Sequence, residues 1–203
     1  MTERQIVHII DDEPSIRQSV GFMLERAGYQ VAAWDSAAEF LDHADTEAIG
    51  CILLDIYMPG IDGLTLQKTL KSRGCIMPVI IITGGAGATL ALNAIQAGAA
   101  DFLEKPFERG VLIAAIEGAL ETVTNPLSRV ERRQSALAKM SRLSSPERSV
   151  LDGLAGGLAN SAIAIELGVE TVRVEQHRAS LMSKLGVRNL PAALNVAFAA
   201  GCC

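Results

Sequence analysis

Asp55 closes the apolar run Cys51-Ile52-Leu53-Leu54 and is followed within a few residues by the turn pair Pro59-Gly60. Three other segments that read as strands also end at polar residues. Residues 5–10 lead into Asp11 and Asp12, residues 78–82 into Thr83, and residues 100–104 into Lys105. If these runs are strands of one sheet, three carboxylates, a hydroxyl and an ammonium converge on one edge. Crowded carboxylates repel, so they hold a proton or gather a cation. An oxygen-only set favours Mg²⁺, which keeps several waters and needs few protein carboxylates. A carboxylate beside such an ion is a competent nucleophile toward a phosphoryl group. The ion offsets charge on the phosphoryl oxygens, Lys105 adds a fixed positive charge, and Thr83 offers a hydroxyl donor. Taken singly, Asp11 or Asp12 is a helix cap before Pro14, Thr83 a strand residue and Lys105 a solvated lysine. Their joint placement at four strand ends carries the functional reading.

The elements between those ends must bring them to one edge. Residues 14–28 carry Ile16, Val20, Met23, Leu24 and Ala27 at helical spacing and stop at Gly28. Residues 29–34 read as a second strand, and Ser36 as the cap of a helix through 44. Residues 62–73 read as a helix ending at Gly74, residues 89–97 as one ending at Gly98, and residues 108–121 as a last one. The strand–helix alternation is five-fold. The first, third and fourth strands are unbroken apolar runs, as a parallel sheet covered on both faces requires. The expected fold is an α/β doubly wound parallel five-stranded sheet. In such folds ligands gather beyond the carboxyl ends of the strands at the topological switch point.

Apolar residues make up 49% of the 203 residues, so a substantial core is available. No apolar run reaches the ~20 residues of a membrane span. The start MTERQIVHIIDD lacks the basic-then-apolar pattern of a signal peptide. Cys51, Cys75, Cys202 and Cys203 show no metal spacing, and the expectation is reduced thiols in a cytoplasmic protein. The net charge of −5 is unevenly spread. Residues 1–121 hold 8 basic against 17 acidic side chains, residues 122–143 hold 5 against 1, and residues 144–203 hold 5 against 5. We therefore expect an acidic module (1–121), a basic helical linker (122–143) and a neutral module (144–203).

The segments IIDDEP, LLDIYMPGIDG, VIIITG and DFLEKPF resemble the signature segments of response-regulator receiver domains, over residues 1–121. The resemblance implies a flavodoxin-like fold with Asp55 as phosphoryl acceptor and Lys105 and Thr83 assisting. It implies Mg²⁺ held by Asp11, Asp12, Asp55 and the backbone carbonyl of Tyr57. Thr83 and Phe102 would form the switch pair, with a cis peptide before Pro106. The hydroxyl of Thr83 would turn to the phosphoryl group, and the Phe102 ring would follow into the vacated space. The face made by the 89–97 helix, the fifth strand and the 108–121 helix would change shape.

Thr122–Pro126 should interrupt the last helix of the first module, because Pro126 cannot continue it cheaply. Beyond it Leu127, Val130, Leu137, Met140 and Leu143 recur among Arg129, Arg132, Arg133, Lys139 and Arg142, reading as an amphipathic linker helix. Its basic face can be solvated, lie on the acidic module or meet nucleic-acid phosphate; the sequence does not choose. Ser144-Ser145-Pro146-Glu147 reads as a capping box. Val150, Leu151, Leu154 and Leu158 stripe the helix it opens, which ends at Gly156-Gly157. Asn160 reads as the cap of a short helix, and Gly168-Val169 as a turn. A third helix runs to Leu185, and Asn189-Leu190-Pro191 opens a fourth through 200. Short helices joined by a glycine-containing turn form a helix-turn-helix, here a small all-α domain.

Residues 143–200 resemble the LuxR-type helix-turn-helix, also called the GerE or NarL type, and the fused pair resembles the FixJ group of transcription regulators. The resemblance implies a recognition helix in the major groove with Glu175, Gln176 and Ala179 facing bases. Arg173, Arg178, Lys184 and Arg188 become phosphate candidates, and His177 a partly buried structural residue. This chain departs from the common pattern at Pro146, at Ser161, and at Glu170-Thr171-Val172-Arg173-Val174, where relatives carry Ser-Pro-x-Thr-Val. With zero net charge on the module, monomer binding to DNA should be weak and salt-sensitive. The expected protein is not an enzyme but a phosphorylation-activated DNA-binding regulator. Its expected partners are a histidine kinase, double-stranded DNA, RNA polymerase and, on phosphorylation, a second copy of itself; no membrane is expected. The alternative is a phosphorylated adaptor whose second module binds protein.

Overall fold

The computed structural model describes residues 5–45, 49–85, 90, 93–95, 97–187 and 189–201. The strands are β1 (Ile6–Ile10), β2 (Gln30–Trp34), β3 (Gly50–Asp55), β4 (Val79–Thr83) and β5 (Asp101–Glu104). They form one sheet in the order β2-β1-β3-β4-β5, and every pairing is parallel. The helices of this unit are α1 (Pro14–Glu25), α2 (Ala37–His43), α3 (Gly63–Ser72) and α4 (Arg109–Thr124). Leu90 and residues 93–95 are helical; the rest of the helix expected over 89–97 lies outside the described residues, as does most of the glycine-rich stretch after Thr83.

β3 and β4 are buried along their whole length, which is why they read as unbroken apolar runs. Edge strand β2 has no fully buried residue, and Gln30 and Ala33 are exposed. Val7, Ile9, Cys51, Leu53, Ile80 and Ile82 point to one face and pack with Val20 and Leu24 of α1 and Leu112, Ile116 and Leu120 of α4. The chain leaves β1 first toward β2 and then crosses to β3. The reversal of order therefore falls at β1 and β3, whose carboxyl ends carry Asp11 and Asp55.

The last helix of this unit runs three residues beyond the expected 121, to Thr124. Only Asn125, in an extended conformation, separates it from the next helix. Proline at position 126 disfavours the helical conformation in the residue before it, yet suits the first position of a new helix. The interruption expected over five residues thus shrinks to one.

The second unit holds α5 (Pro126–Met140), α6 (Ser145–Ala155), α7 (Asn160–Leu167), α8 (Thr171–Leu185) and α9 (Leu190–Ala200). Ala136, Met140 and Leu143, one stripe at helical spacing, are buried in its core with Val150, Leu151, Leu154, Ile163, Val174, Leu181, Leu185 and Leu194. Val130 and Leu137, one turn around on the same linker helix, remain exposed. The capping box at Ser144 is present. Asn189 caps α9 by accepting from the Ala192 amide at 2.9 Å. Asn160 is not a cap: the chain is extended at Ala159, so Asn160 is the first helical residue and makes no capping bond. Between α7 and α8 the chain turns at Gly168, whose φ of 66° is open to glycine at little cost. Among the described residues no helix is long and apolar enough to cross a membrane.

Candidate functional site

The carboxyl edge of the sheet brings Asp11, Asp55, Thr83 and Lys105 together, all but Lys105 almost wholly buried. The Lys105 ammonium lies 2.6 Å from Asp11 Oδ2 and 2.8 Å from Asp55 Oδ1. Each carboxylate's other oxygen accepts a backbone amide: Glu13 N–H reaches Asp11 Oδ1 at 2.9 Å, and Tyr57 N–H reaches Asp55 Oδ2 at 2.7 Å. Lys105 is placed by its own amide, which donates to the Thr83 carbonyl at 2.8 Å. The bond before Pro106 is cis. The Thr83 hydroxyl accepts from the Gly85 amide at 3.4 Å. Phe102 is buried, and Tyr57 is 63% exposed at the rim.

Two further features hold this edge that sequence reasoning missed. Gly63, the first residue of α3, passes so close to the end of β3 that an added Cβ would collide with the Asp55 carbonyl and lie 2.9 Å from Ile56 Cα. Arg17 of α1 donates to the Asp11 carbonyl at 2.6 Å, while the Asp11 amide donates to the Trp34 carbonyl at 3.3 Å. The glycine after Asp62 was a visible signal. The arginine, one of two charged residues on α1, gave none.

Burial pushes the Asp55 carboxyl up and the Asp11 charge adds to it; Lys105 and the Tyr57 amide oppose, and the balance stays upward. Burial pushes the Lys105 ammonium down, but bonds to Asp11 and Asp55 outweigh it and raise its pKa. One cation thus serves two buried carboxylates and leaves the pair short of positive charge. The donor set is oxygen only, which fits a hard divalent cation. Asp12, however, is exposed, and among the described residues no group of three or more acidic, histidine or cysteine side chains is gathered to hold a metal. In this arrangement the Lys105 ammonium takes the oxygens that such a cation would share.

In the second unit Glu147 is the counterpart. It is buried, and it accepts from the Ser144 amide (2.7 Å), the Ser180 hydroxyl (2.6 Å) and the Lys184 ammonium (2.7 Å). Burial pushes its carboxyl up, yet Lys184, Ser180 and Ser144 together hold it down at about 2. Sequence spacing had shown only the capping box. The tie to α8 joins residues far apart in the chain and has no local signature. It also engages Lys184, expected as a phosphate contact. Arg173, Glu175, Gln176 and Ala179 are exposed on α8, and Arg178 and His177 half-buried. Glu175, Arg178, Ala179 and Met182 line a cleft of about 380 Å³ with Asn160, Asn189 and Leu190. Arg188 lies outside the described residues.

Known protein families match both units. The family of the response regulator receiver domain matches residues 7–117, and that of bacterial regulatory proteins of the luxR family matches residues 141–197. The class is therefore a receiver fused to a LuxR-type helix-turn-helix, a transcriptional response regulator. The transcriptional regulatory protein FixJ of Azorhizobium caulinodans is 42% identical over 201 residues, covering 99% of this chain and 95% of its own length. FixJ of Bradyrhizobium diazoefficiens is 37% identical over 99% of this chain and 98% of its own. The crystal structure of full-length FixJ from B. japonicum matches with a TM-score of 0.58 at 36% identity, covering 98% of both chains. The chain belongs to the FixJ group of two-component response regulators.

Proposed function

We propose that Asp55 takes a phosphoryl group from a partner histidine kinase and that this event controls DNA binding by the second unit. The observation that carries the reading is the doubly paired Lys105, which holds Asp55 buried and hydrogen-bonded at the switch point of the sheet. In the transfer, one Asp55 oxygen forms a bond to phosphorus while the bond from phosphorus to the donor's imidazole nitrogen breaks. Lys105 exchanges one carboxylate oxygen for a phosphoryl oxygen, and the Tyr57 amide keeps Asp55 oriented. Asp11, Asp12, Asp55 and the Tyr57 carbonyl are the residues that would hold Mg²⁺, which would supply charge neutralisation on the phosphoryl oxygens. Thr83 turns its hydroxyl toward the new acceptor, and Phe102 repacks behind it. The phosphorylated chain dimerises and sets two helix-turn-helix units on a near-palindromic site, in the cytoplasm, where RNA polymerase is the further partner.

Full-length protein incubated with a small-molecule phosphodonor and Mg²⁺ should gain one acid-stable, base-labile phosphoryl group and shift to a dimer. Asp55→Asn should gain neither. Labelling that persists in Asp55→Asn would sink the assignment. Nothing observed favours the adaptor reading of the second unit. It would return if phosphorylated protein retained no genomic DNA fragment even at low salt.

A further inference from the structure

Helix α8 offers a reading surface that can be defined from burial alone. Val174, Leu181 and Leu185 point into the core of the second unit. At 100° per residue, the row opposite them is Val172, Gln176, Ala179 and Ser183, and all four are exposed. Val172 is 57% exposed, at the end of α8 that follows the turn. The row carries no charge. The cations of the helix stand beside it and are engaged or partly covered. Arg173 Nη1 lies 3.5 Å from Gln176 Oε1, Arg178 is half-buried, and Lys184 is bound to Glu147. What faces outward is therefore one amide between two aliphatic groups, with the Ser183 hydroxyl at the far end of the row and the exposed carboxylate of Glu175 beside it.

In the major groove a glutamine amide matches the acceptor–donor edge of adenine, and a small aliphatic group matches the thymine methyl. A bidentate guanine contact is the usual task of arginine or lysine, which this row lacks. We propose that the centre of each half-site is read as A·T pairs, with Gln176 on adenine and Val172 and Ala179 against flanking thymine methyls. Val172 lies outside the base-facing set expected from the sequence, at the exposed start of α8. The inference rests on the reading that this unit binds DNA.

The test is selection of bound duplexes from a randomised pool by the phosphodonor-treated full chain at low salt. Adenine with neighbouring thymines should be enriched. Gln176→Ala should then lose about tenfold or more of the preference at the adenine position. Replacing thymine by deoxyuridine should weaken binding about threefold for each methyl contacted, and Val172→Ala should erase that difference at one position. Both substitutions are at exposed sites and should leave the circular dichroism unchanged. Retained duplexes that place guanine at the centre, or that ignore both substitutions and the uridine exchange, would overturn the proposal while leaving DNA binding intact. No retention of any duplex would overturn the DNA-binding reading and the proposal with it.

Discussion

Two buried ion clusters among the described residues have opposite balances. At the sheet edge, one ammonium is shared by Asp11 and Asp55, and the Asp55 pKa is raised. In the helical unit, a single carboxylate collects a cation, a hydroxyl and an amide, and the Glu147 pKa falls to about 2. A buried charge short of partners is costly and readily gives up its arrangement for a better one. A buried charge with every lone pair engaged is held in place. The first cluster is therefore the easier of the two to rearrange, and the second the more firmly held.

Breaking each cluster tests this contrast. The largest effect is expected from Lys105→Met, which leaves two buried carboxylates facing each other. It should cost the receiver roughly 3–5 kcal/mol, seen as a lower urea midpoint in Trp34 fluorescence, since Trp34 on β2 is the single tryptophan. Glu147→Ala should cost the helical unit roughly 3 kcal/mol, visible by circular dichroism with the Trp34 transition unmoved.

Acid should separate the clusters by sign. Glu147 has a folded pKa of about 2 against a usual 4.5, so its stabilising contribution is present above 4.5 and fades as pH falls toward 2. Its full size is about 3 kcal/mol. Asp55 has a raised pKa, so its ionisation costs stability above that pKa, and the cost is relieved as pH falls through it. At neutral pH Asp55→Asn should therefore raise receiver stability by something on the order of 1 kcal/mol, and the gain over wild type should shrink on acidification. A loss of stability in Asp55→Asn at pH 7 would contradict the contrast.

Gly63→Ala should push α3 away from the Asp55 carbonyl. It should slow phosphoryl labelling and cost about 1–3 kcal/mol. The smallest effect is expected at Asn160→Ala, below about 0.5 kcal/mol, against about 1 kcal/mol for the true cap in Asn189→Ala.

The sheet and the polar residues at its carboxyl edge were legible in the sequence for one physical reason. A parallel sheet buries whole strands, so its apolar runs are unbroken and the first charge after each run marks its end. Asp11 and Asp55 announce themselves in that way and Thr83 as the first polar residue, whereas Lys105 follows the mixed segment Asp101–Glu104 and only the strand–helix alternation places it. Local pattern says nothing about which partners they find, and the sharing of Lys105 between Asp11 and Asp55 spans most of the receiver chain. The same limit hid the Glu147 tie to Ser180 and Lys184. Boundaries governed by a single residue's dihedrals also escaped. The receiver's last helix continues to Thr124 because only residue 125 feels the following proline, and Asn160 looks like a cap although the chain turns helical one residue before it could act as one.

The Glu147 tie has a consequence for engineering. Ser180 and Lys184 fasten α8 to the start of α6, and they lie on a different row of the helix from Val172, Gln176 and Ala179. The anchor and the row proposed to read DNA are therefore separable on one fifteen-residue helix. A library that varies only the outward row while keeping the anchor should yield folded regulators with new operators. A wholesale transplant of the helix would discard the anchor together with the code.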